Sequence, residues 1–395
     1  MAHNMISVTR SNPCPICGKP DWCGWLPIEE GRLLICMRDT LCSNQQGLDG
    51  NFYVFHGHSK TGNNSTYEEA TQRFNRCGDD SDKTYQKANY VREIIVQEDE
   101  VPLSPPERLD SIYKELLNQL ILEDYHKKTL MDDGWTEELI KESGVKSFPV
   151  PDFIRYKNKI RTRNPKRKEL AASLYNKFGD LTGVPGLYIN EFKGSKYWTI
   201  AGASGMIFPL QNLHKQVIRL RIRMDEEFNG KYRYLSSYKL IEVNNQRINK
   251  YTNGTRALNT ITFNTSDCIS KSDYYVTYIT EGCKKAIVGN KKLKAPFGNV
   301  PGVNSFGKLL DKDHTGKRVI DILRERGTKI IIIAYDADKN SNTAVMKHFK
   351  NTINVIKKEG FSIGVAEWPE YFGKGLDDIL LKGITPIYTI PDFEN

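Results

Sequence analysis

The sequence predicts a multidomain α/β protein: an N-terminal cysteine ribbon, a mixed α+β middle, and a C-terminal domain on a parallel, Rossmann-like sheet. Three observations lead there. Five of the eight cysteines crowd between Cys14 and Cys42. Strand-like runs with alternating arginines occupy the middle of the chain. From about residue 270, apolar strands alternate with helical patterns, and acidic residues follow the strands.

At 395 residues the chain is long enough for two or three domains. Fifty-seven basic against 48 acidic residues leave a net charge of +9, which favours a polyanionic partner. No run approaches the apolar length of a membrane span, and the first residues lack a signal-peptide core, so a soluble, intracellular protein without a membrane partner is expected.

The ribbon is expected over residues 1–60. Cys14-Pro15-Ile16-Cys17-Gly18 is a CxxC knuckle whose glycine permits the tight turn that turns two thiolates toward one ion. Trp22 to Ile35 alternates around Glu29-Glu30-Gly31 as a hairpin would, and Cys36 ends its second strand. A tetrahedral Zn²⁺ site of Cys14, Cys17, Cys23 and Cys36 follows, with Cys42 the runner-up for the fourth position and His56 a more distant choice. Free thiols are the competing reading. Residues 61–105 are polar, lack sustained periodicity and end in Pro102, Pro105 and Pro106, which predicts a linker.

The middle region is expected over 106–268. Leu109, Ile112, Leu116, Leu120 and Ile121 recur at helical spacing, and a short helix over Thr136–Glu142 should stop at Gly144. Arg155 to Lys168 is a basic run without an acid. Within it Arg161 and Arg163 are candidates for gripping phosphates, with Tyr156 as a stacking platform; a solvated loop is the competing reading. Gly205–Leu210 and Gln216–Arg223 read as two strands of one sheet. On the second, Arg219, Arg221 and Arg223 share a face. Three like charges side by side repel unless an anion neutralises them, so Arg221 and Arg223, with Lys231 and Arg233, are candidate contacts for a triphosphate or a template backbone.

The C-terminal domain is expected over 269–395, with strands at 274–280, 329–335 and 361–367 and a helix near 341–358 ending at Gly360. Glu281 follows the first strand, Asp336 and Asp338 the second, and Asp377 and Asp378 the third. Carboxylates at the carboxyl edge of a parallel sheet predict one or two Mg²⁺ or Mn²⁺ ions doing phosphoryl chemistry, with Glu281, Asp336, Asp338 and Asp377 in the catalytic roles. The competing reading is that a strand-end aspartate such as Asp338 only caps the next helix.

Glu-Gly after one strand, Asp-x-Asp after the next and a later acid resemble the TOPRIM domain shared by DNA primases, topoisomerases and certain nucleases. Gly205–Leu210, Val217–Arg223 and Lys231–Ser237 look like the segment before that domain in DnaG-type primases, which also carry an N-terminal zinc ribbon. Leu130–Gly144 and Leu181–Gly186 are similar to segments of primase-like proteins of phages, plasmids and integrated elements.

The resemblance implies a primase-core middle and a nucleotidyltransferase that makes short primers on single-stranded DNA from nucleoside triphosphates, in a bacterial or infected-host cytoplasm. In that mechanism a metal-activated 3′-hydroxyl attacks the α-phosphate and Arg221, Arg223 and Lys231 neutralise the triphosphate. Lys284 and Lys285 depart from the pattern, standing where a further acid is usual, and are candidates for phosphate contacts. No GxxxxGK[ST] loop occurs, so a replicative helicase would act in trans. A TOPRIM nuclease and a non-catalytic DNA-binding accessory protein are the alternatives.

Overall fold

The computed structural model describes residues 5–28, 31–38, 45–58, 65–69, 101–156, 159–227, 230–243, 246–266, 268–302, 305–337 and 343–390. Asp338 and Cys42 lie outside these residues. The chain divides into two compact units, 1–91 and 92–395.

In the first unit, β1 (Ile6–Ser7), β2 (Gly24–Ile28), β3 (Gly31–Cys36), β4 (Gln45–Gln46), β5 (Phe52–His58) and β6 (Ser65–Glu69) form one sheet in the order β1-β2-β3-β6-β5-β4. The hairpin expected around Glu29–Gly31 is β2–β3, with Gly24 opposite Ile35. β6 pairs with both β3 and β5, so the ribbon sheet runs to Glu69, past the boundary expected at residue 60. The polarity of Ser65 to Glu69 hid this strand, whose backbone pairs with both neighbours. Val8, Trp25, Leu34 and Tyr53 make a small core beside the cysteines.

The second unit opens on helices α1 (Pro106–Asn118), α2 (Asp124–Asp132) and α3 (Glu137–Ser143), the last capped by the Thr136 side chain and stopped by Gly144 in a left-handed conformation. β7 (Lys146–Phe148) follows, then the hairpin β8 (Phe153–Tyr156) and β9 (Lys159–Arg163), and then α4 (Lys166–Phe178). The hairpin β10 (Leu187–Phe192) and β11 (Ser195–Ile200) leads to β12 (Gly205–Gln211), β13 (Val217–Met224) and β14 (Tyr232–Tyr234). A further hairpin, β15 (Leu240–Val243) and β16 (Gln246–Asn249), precedes β17 (Thr262–Asn264). The rest is β18 (Val276–Glu281), α5 (Cys283–Leu293), β19 (Phe297–Val300), α6 (Val319–Arg326), β20 (Ile330–Ala334), α7 (Thr343–Lys358), β21 (Ser362–Glu367), α8 (Leu376–Leu381) and β22 (Ile387–Thr389).

Ten of these strands share one sheet, ordered β14-β13-β12-β17-β19-β18-β20-β21-β22, with β7 on β12. Strands β19, β18, β20 and β21 are parallel neighbours. β17 joins them to the antiparallel half by pairing with β12 on one side and β19 on the other. The boundary expected at 268/269 therefore falls inside one sheet, and the middle and C-terminal regions form one body.

Burial explains the strand sequences. Ile279, Ile331 and Ile333 face a core with α6 and α7, whereas Tyr278, Ile332 and Ala334 face a core with α3, α5 and α8. A parallel strand covered on both sides reads as an unbroken apolar run. Beneath α1 and α4 lies a third core holding Ile207, Leu220 and Ile222. Gly186 (φ +96°) is required there, because a Cβ would lie 2.4 Å from Leu235 Cγ.

The basic run 155–168 is not one loop. Arg161 and Arg163 lie on β9, while Arg167 begins α4 and is 2% exposed. Arg167 donates to the carbonyls of Pro149 (2.6 and 2.9 Å), Ile200 (3.2 Å) and Gly202 (2.8 Å), and stacks on Phe148 at 4.5 Å. Burial lowers its guanidinium to about 10. It ties α4 to the β7–β8 and β11–β12 connections and is no phosphate grip. Arg167→Met is expected to cost about 3 kcal/mol in urea unfolding, because three carbonyls lose their donors.

Candidate functional site

Four sulfurs meet in the ribbon. Cys14 and Cys17 come from the knuckle, where Gly18 N donates to Cys14 O at 2.8 Å. Cys23 precedes β2 and Cys36 ends β3. One ligand atom from each lies within 4.8 Å of the other three. Cys17 and Cys23 Sγ are 3.6 Å apart, Cys23 and Cys36 Sγ 3.9 Å apart. The donor set, all sulfur and mostly buried, fits Zn²⁺, which takes four thiolates in a tetrahedron. Without a cation the thiols cannot all ionise. Hydrogen bonds from Cys23 and Cys36 pull Cys14 down to about 2, and Cys14 in turn pushes Cys23 up to about 12 and raises Cys36. A dication lets all four be thiolates.

The second cluster lies at the carboxyl edge of the parallel strands. Thr280 on β18 is level with Ala334 on β20, so Glu281 and Asp336 leave neighbouring strands at nearly the same height. Ala337 N donates to Lys374 O at 3.0 Å, which holds the 373–375 loop against the end of β20. That loop leads into α8, where the structure separates two adjacent acids. Asp378 Oδ2 accepts from Gly375 N at 2.8 Å and caps the helix. Asp377, left over, is half-buried and has no ion pair among the described residues. Burial raises its carboxyl above the ordinary aspartate range, Asp378 adds to the rise, and Lys285 and Lys284 oppose it.

Lys285 stands among these acids. It stands four residues after Glu281, with Nζ 3.9 Å from that carboxylate, and its Nζ is hydrogen-bonded to Asp336 Oδ1. Its Cε would lie 3.0 Å from a Cβ on Gly375. Gly282 (φ +91°) makes the bend between β18 and α5, with open space where a side chain would be. The first turn of α5 has lysines and no acid, which opposes the helix dipole. Asp336 offsets Lys285, and Asp133 offsets Lys284 at 2.6 Å.

The arginine strand runs from core to rim. Arg219 is 1% exposed, donates to Leu258 O (2.5 Å) and Thr260 O (2.8 Å), and lies 4.1 Å from the Tyr234 ring centre. It is structural, so the expectation that an anion must neutralise the row fails at its inner end. Aromatic faces and carbonyls do it instead. Half-buried Arg221 stacks on Tyr232 at 4.7 Å and Tyr234 at 5.4 Å, and its Nη1 has no hydrogen-bond partner among the described residues. Arg223 reaches Asp133 at 3.4 Å.

Asp133 thus joins the arginine strand to α5, a link with no motif to announce it. Burial raises the Cys283 thiol at the start of α5, and Arg221 opposes the rise, as expected of a cation near that helix end. Arg233 is level with Ile222 and so takes the sheet face opposite Arg221 and Arg223. Lys231 is exposed and 3.4 Å from Glu227. The side chains of Arg161 and Arg163 are outside the described residues.

One polar chain escaped the sequence. His126 on α2 is 4% exposed, with Nδ1 2.7 Å from Ser147 Oγ and Nε2 2.8 Å from Asp225 Oδ1. Ser147 Oγ also accepts from Glu123 N at 2.8 Å, so the serine serves the start of α2 rather than acting as a free nucleophile.

Residues 267–385 match a family model described as a domain of unknown function (DUF3854). No curated protein matches the chain. Among solved structures it is similar to the zinc-binding and RNA polymerase domains of the Aquifex aeolicus primase. That match has 14% identity and a TM-score of 0.45, covering 73% of this chain and 63% of that one, under two thirds of its length. The RNA polymerase domain of Mycobacterium tuberculosis primase DnaG matches at 13% identity and TM-score 0.48, covering 73% and 85%. A DnaG primase catalytic domain bound to ssDNA matches at 12% and 0.45, covering 71% and 80%. Among the described residues no helix is long and apolar enough to cross a membrane.

Proposed function

We propose that this chain is a primase-like nucleotidyltransferase acting on single-stranded DNA, with Glu281, Asp336 and Asp377 at its centre and residues 269–395 as a TOPRIM domain. One observation carries the proposal. Three carboxylates, two lysines and the start of an eleven-residue helix meet where three parallel strands end. Ligands of α/β sheets bind at that edge, and free N–H groups at a helix start suit phosphate oxygens.

The donor set fits a hard dication: all oxygen, with the half-buried carboxyl of Asp377 lacking an ion-pair partner among the described residues. Glu281, Asp336 and Asp377 would hold it, and Asp338, outside the described residues, is proposed with them. When bound, Mg²⁺ or Mn²⁺ supplies polarisation of phosphate oxygens and screening of their charge. Lys285 neutralises Asp336 and Glu281 here, and its flexible stem would let it turn toward a phosphate with a dication in its place. Lys284 and Arg223 share Asp133, so a nucleotide phosphate would compete with that one carboxylate for both cations. Arg221 supplies a rigid, aromatic-backed charge beside them, and exposed Lys231 would meet the outer phosphates. Arg161 and Arg163 are proposed contacts to the template backbone.

The test is the purified chain with single-stranded DNA, labelled nucleoside triphosphates and Mg²⁺ or Mn²⁺. Extended primers are expected; a helicase supplied in trans should raise their yield. Shortened DNA would instead make it a nuclease, and DNA binding without either product an accessory protein. Lys285→Met gives an independent check. It is expected to lower stability by about 1–3 kcal/mol without dication, as carboxylates lose their charged donor. Millimolar Mg²⁺ should raise the variant's Tm more than that of the parent chain.

A further inference from the structure

We propose that His214, Asp313 and His314 form a second divalent-metal site, for Zn²⁺ or another late first-row dication, where the β12–β13 turn meets the 311–318 loop. None of the three belongs to the cysteine cluster or to the strand-end acids. One ligand atom from each lies within 4.8 Å of the others. His214 Nε2 is 3.1 Å from Asp313 Oδ2, and His314 Nδ1 is 3.8 Å from that same oxygen. Ligand atoms about 2.0–2.1 Å from a tetrahedral zinc stand about 3.3 Å apart, so the site closes on an ion with small side-chain movements.

The surrounding groups turn these atoms inward. Asp313 Oδ1 is occupied by Thr315 N at 2.7 Å and Thr315 Oγ1 at 2.6 Å, which leaves Oδ2 for the histidines. The other ring nitrogen of His314, Nε2, faces Glu107 Oε1 at 3.7 Å, and that oxygen accepts from Gln216 Nε2 at 3.0 Å. A carboxylate behind a ligating imidazole is the usual support of a metal-bound histidine. His214 is placed by the tight turn, its N donating to Asn212 Oδ1 at 2.9 Å. A single His–Asp hydrogen bond would explain one imidazole here, but not two rings, 5.1 Å apart, converging on one oxygen.

Two imidazoles and one carboxylate select Zn²⁺, Co²⁺ or Ni²⁺ over Mg²⁺. Three protein ligands leave a fourth position for water or another oxygen donor. Asp313 and His314 also line a cavity of about 660 Å³ walled by Leu109, Leu213 and Phe263. The metal would fasten the start of α1 and the β12–β13 turn to the 311–318 loop.

The experiment is metal counting on the untagged full chain after equilibration with micromolar Zn²⁺ and gel filtration. Two zinc ions per chain are expected, falling to one in Cys36→Ser and to one in the His214→Gln/His314→Gln double variant. The site is overturned by one zinc per chain in the parent protein, or by two in the double variant. Co²⁺ at the second site should give weak visible bands without sulfur charge transfer; sulfur bands for both ions would overturn it too. Thr315→Val keeps every ligand and so guards against a misfolded double variant. It should weaken the second ion about 10–100-fold, and unchanged affinity would overturn the orientation argument.

Discussion

Asp336→Asn is expected to lower primer synthesis by on the order of 10²–10³-fold while single-stranded DNA binding stays within about twofold. The substitution keeps the shape and removes the charge at the one carboxylate that the structure couples to both sides of the edge. Asp336 accepts from Lys285, and the residue after it holds the loop that carries Asp377. With an amide there, the edge loses a hard oxygen ligand, and Lys285 is left with Glu281 at 3.9 Å. Measuring synthesis and binding on one preparation separates chemistry from folding. Synthesis above about a tenth of the parent rate would move the chemistry away from this edge. Synthesis and binding lost together would mean that the substitution unfolded the unit.

Removing zinc from the ribbon should have the other large effect. Cys36 is fully buried and its Sγ touches that of Cys23, so Cys36→Ser leaves three thiols and an alcohol in a pocket shaped for an ion. Among the described residues the apolar core beside them is Val8, Trp25, Leu34 and Tyr53, with Ile16 and Phe55 packed against it, far too little to offset the chain entropy of some sixty residues. A structural zinc contributes about 10–16 kcal/mol to folding in small zinc domains. Limited proteolysis should therefore cut the 5–69 region of the variant, or of the chelated parent, while 101–390 stays protected. A ribbon that resists protease after zinc is gone would show that its sheet stands on side-chain packing alone.

The parallel half of the fold was legible because its signals are local. Tyr274 to Thr280, Lys329 to Tyr335 and Phe361 to Glu367 are apolar runs, and strands covered on both faces need no more specific code. Gly144 and Gly360 marked helix ends in the same local way. β6 was not legible, since Ser65 to Glu69 is polar and pairs through its backbone. The continuity of the sheet through β17 was hidden for a related reason. Thr262–Asn264 is three residues long, and only its partners on β12 and β19 make it a strand.

Charged residues divide along the same line. The sequence alone determined which types stand where: four thiols around a hairpin, carboxylates at strand ends, arginines at every second position of β13. Those are statements about spacing, and the periods of hairpin and strand translate spacing into direction. Only the tertiary structure decided which charges have spare capacity. Arg219 looks no different from Arg221 in the sequence, and nothing there sets Arg167 apart from its basic neighbours, yet both are sealed under carbonyls and aromatic rings. Asp378 caps α8 while Asp377 beside it is left for the site. Lys285, an anomaly in the motif, is the cation that holds Asp336. The reason is physical: a charge is fixed by its desolvation and its partners, and those come from segments dozens to hundreds of residues away.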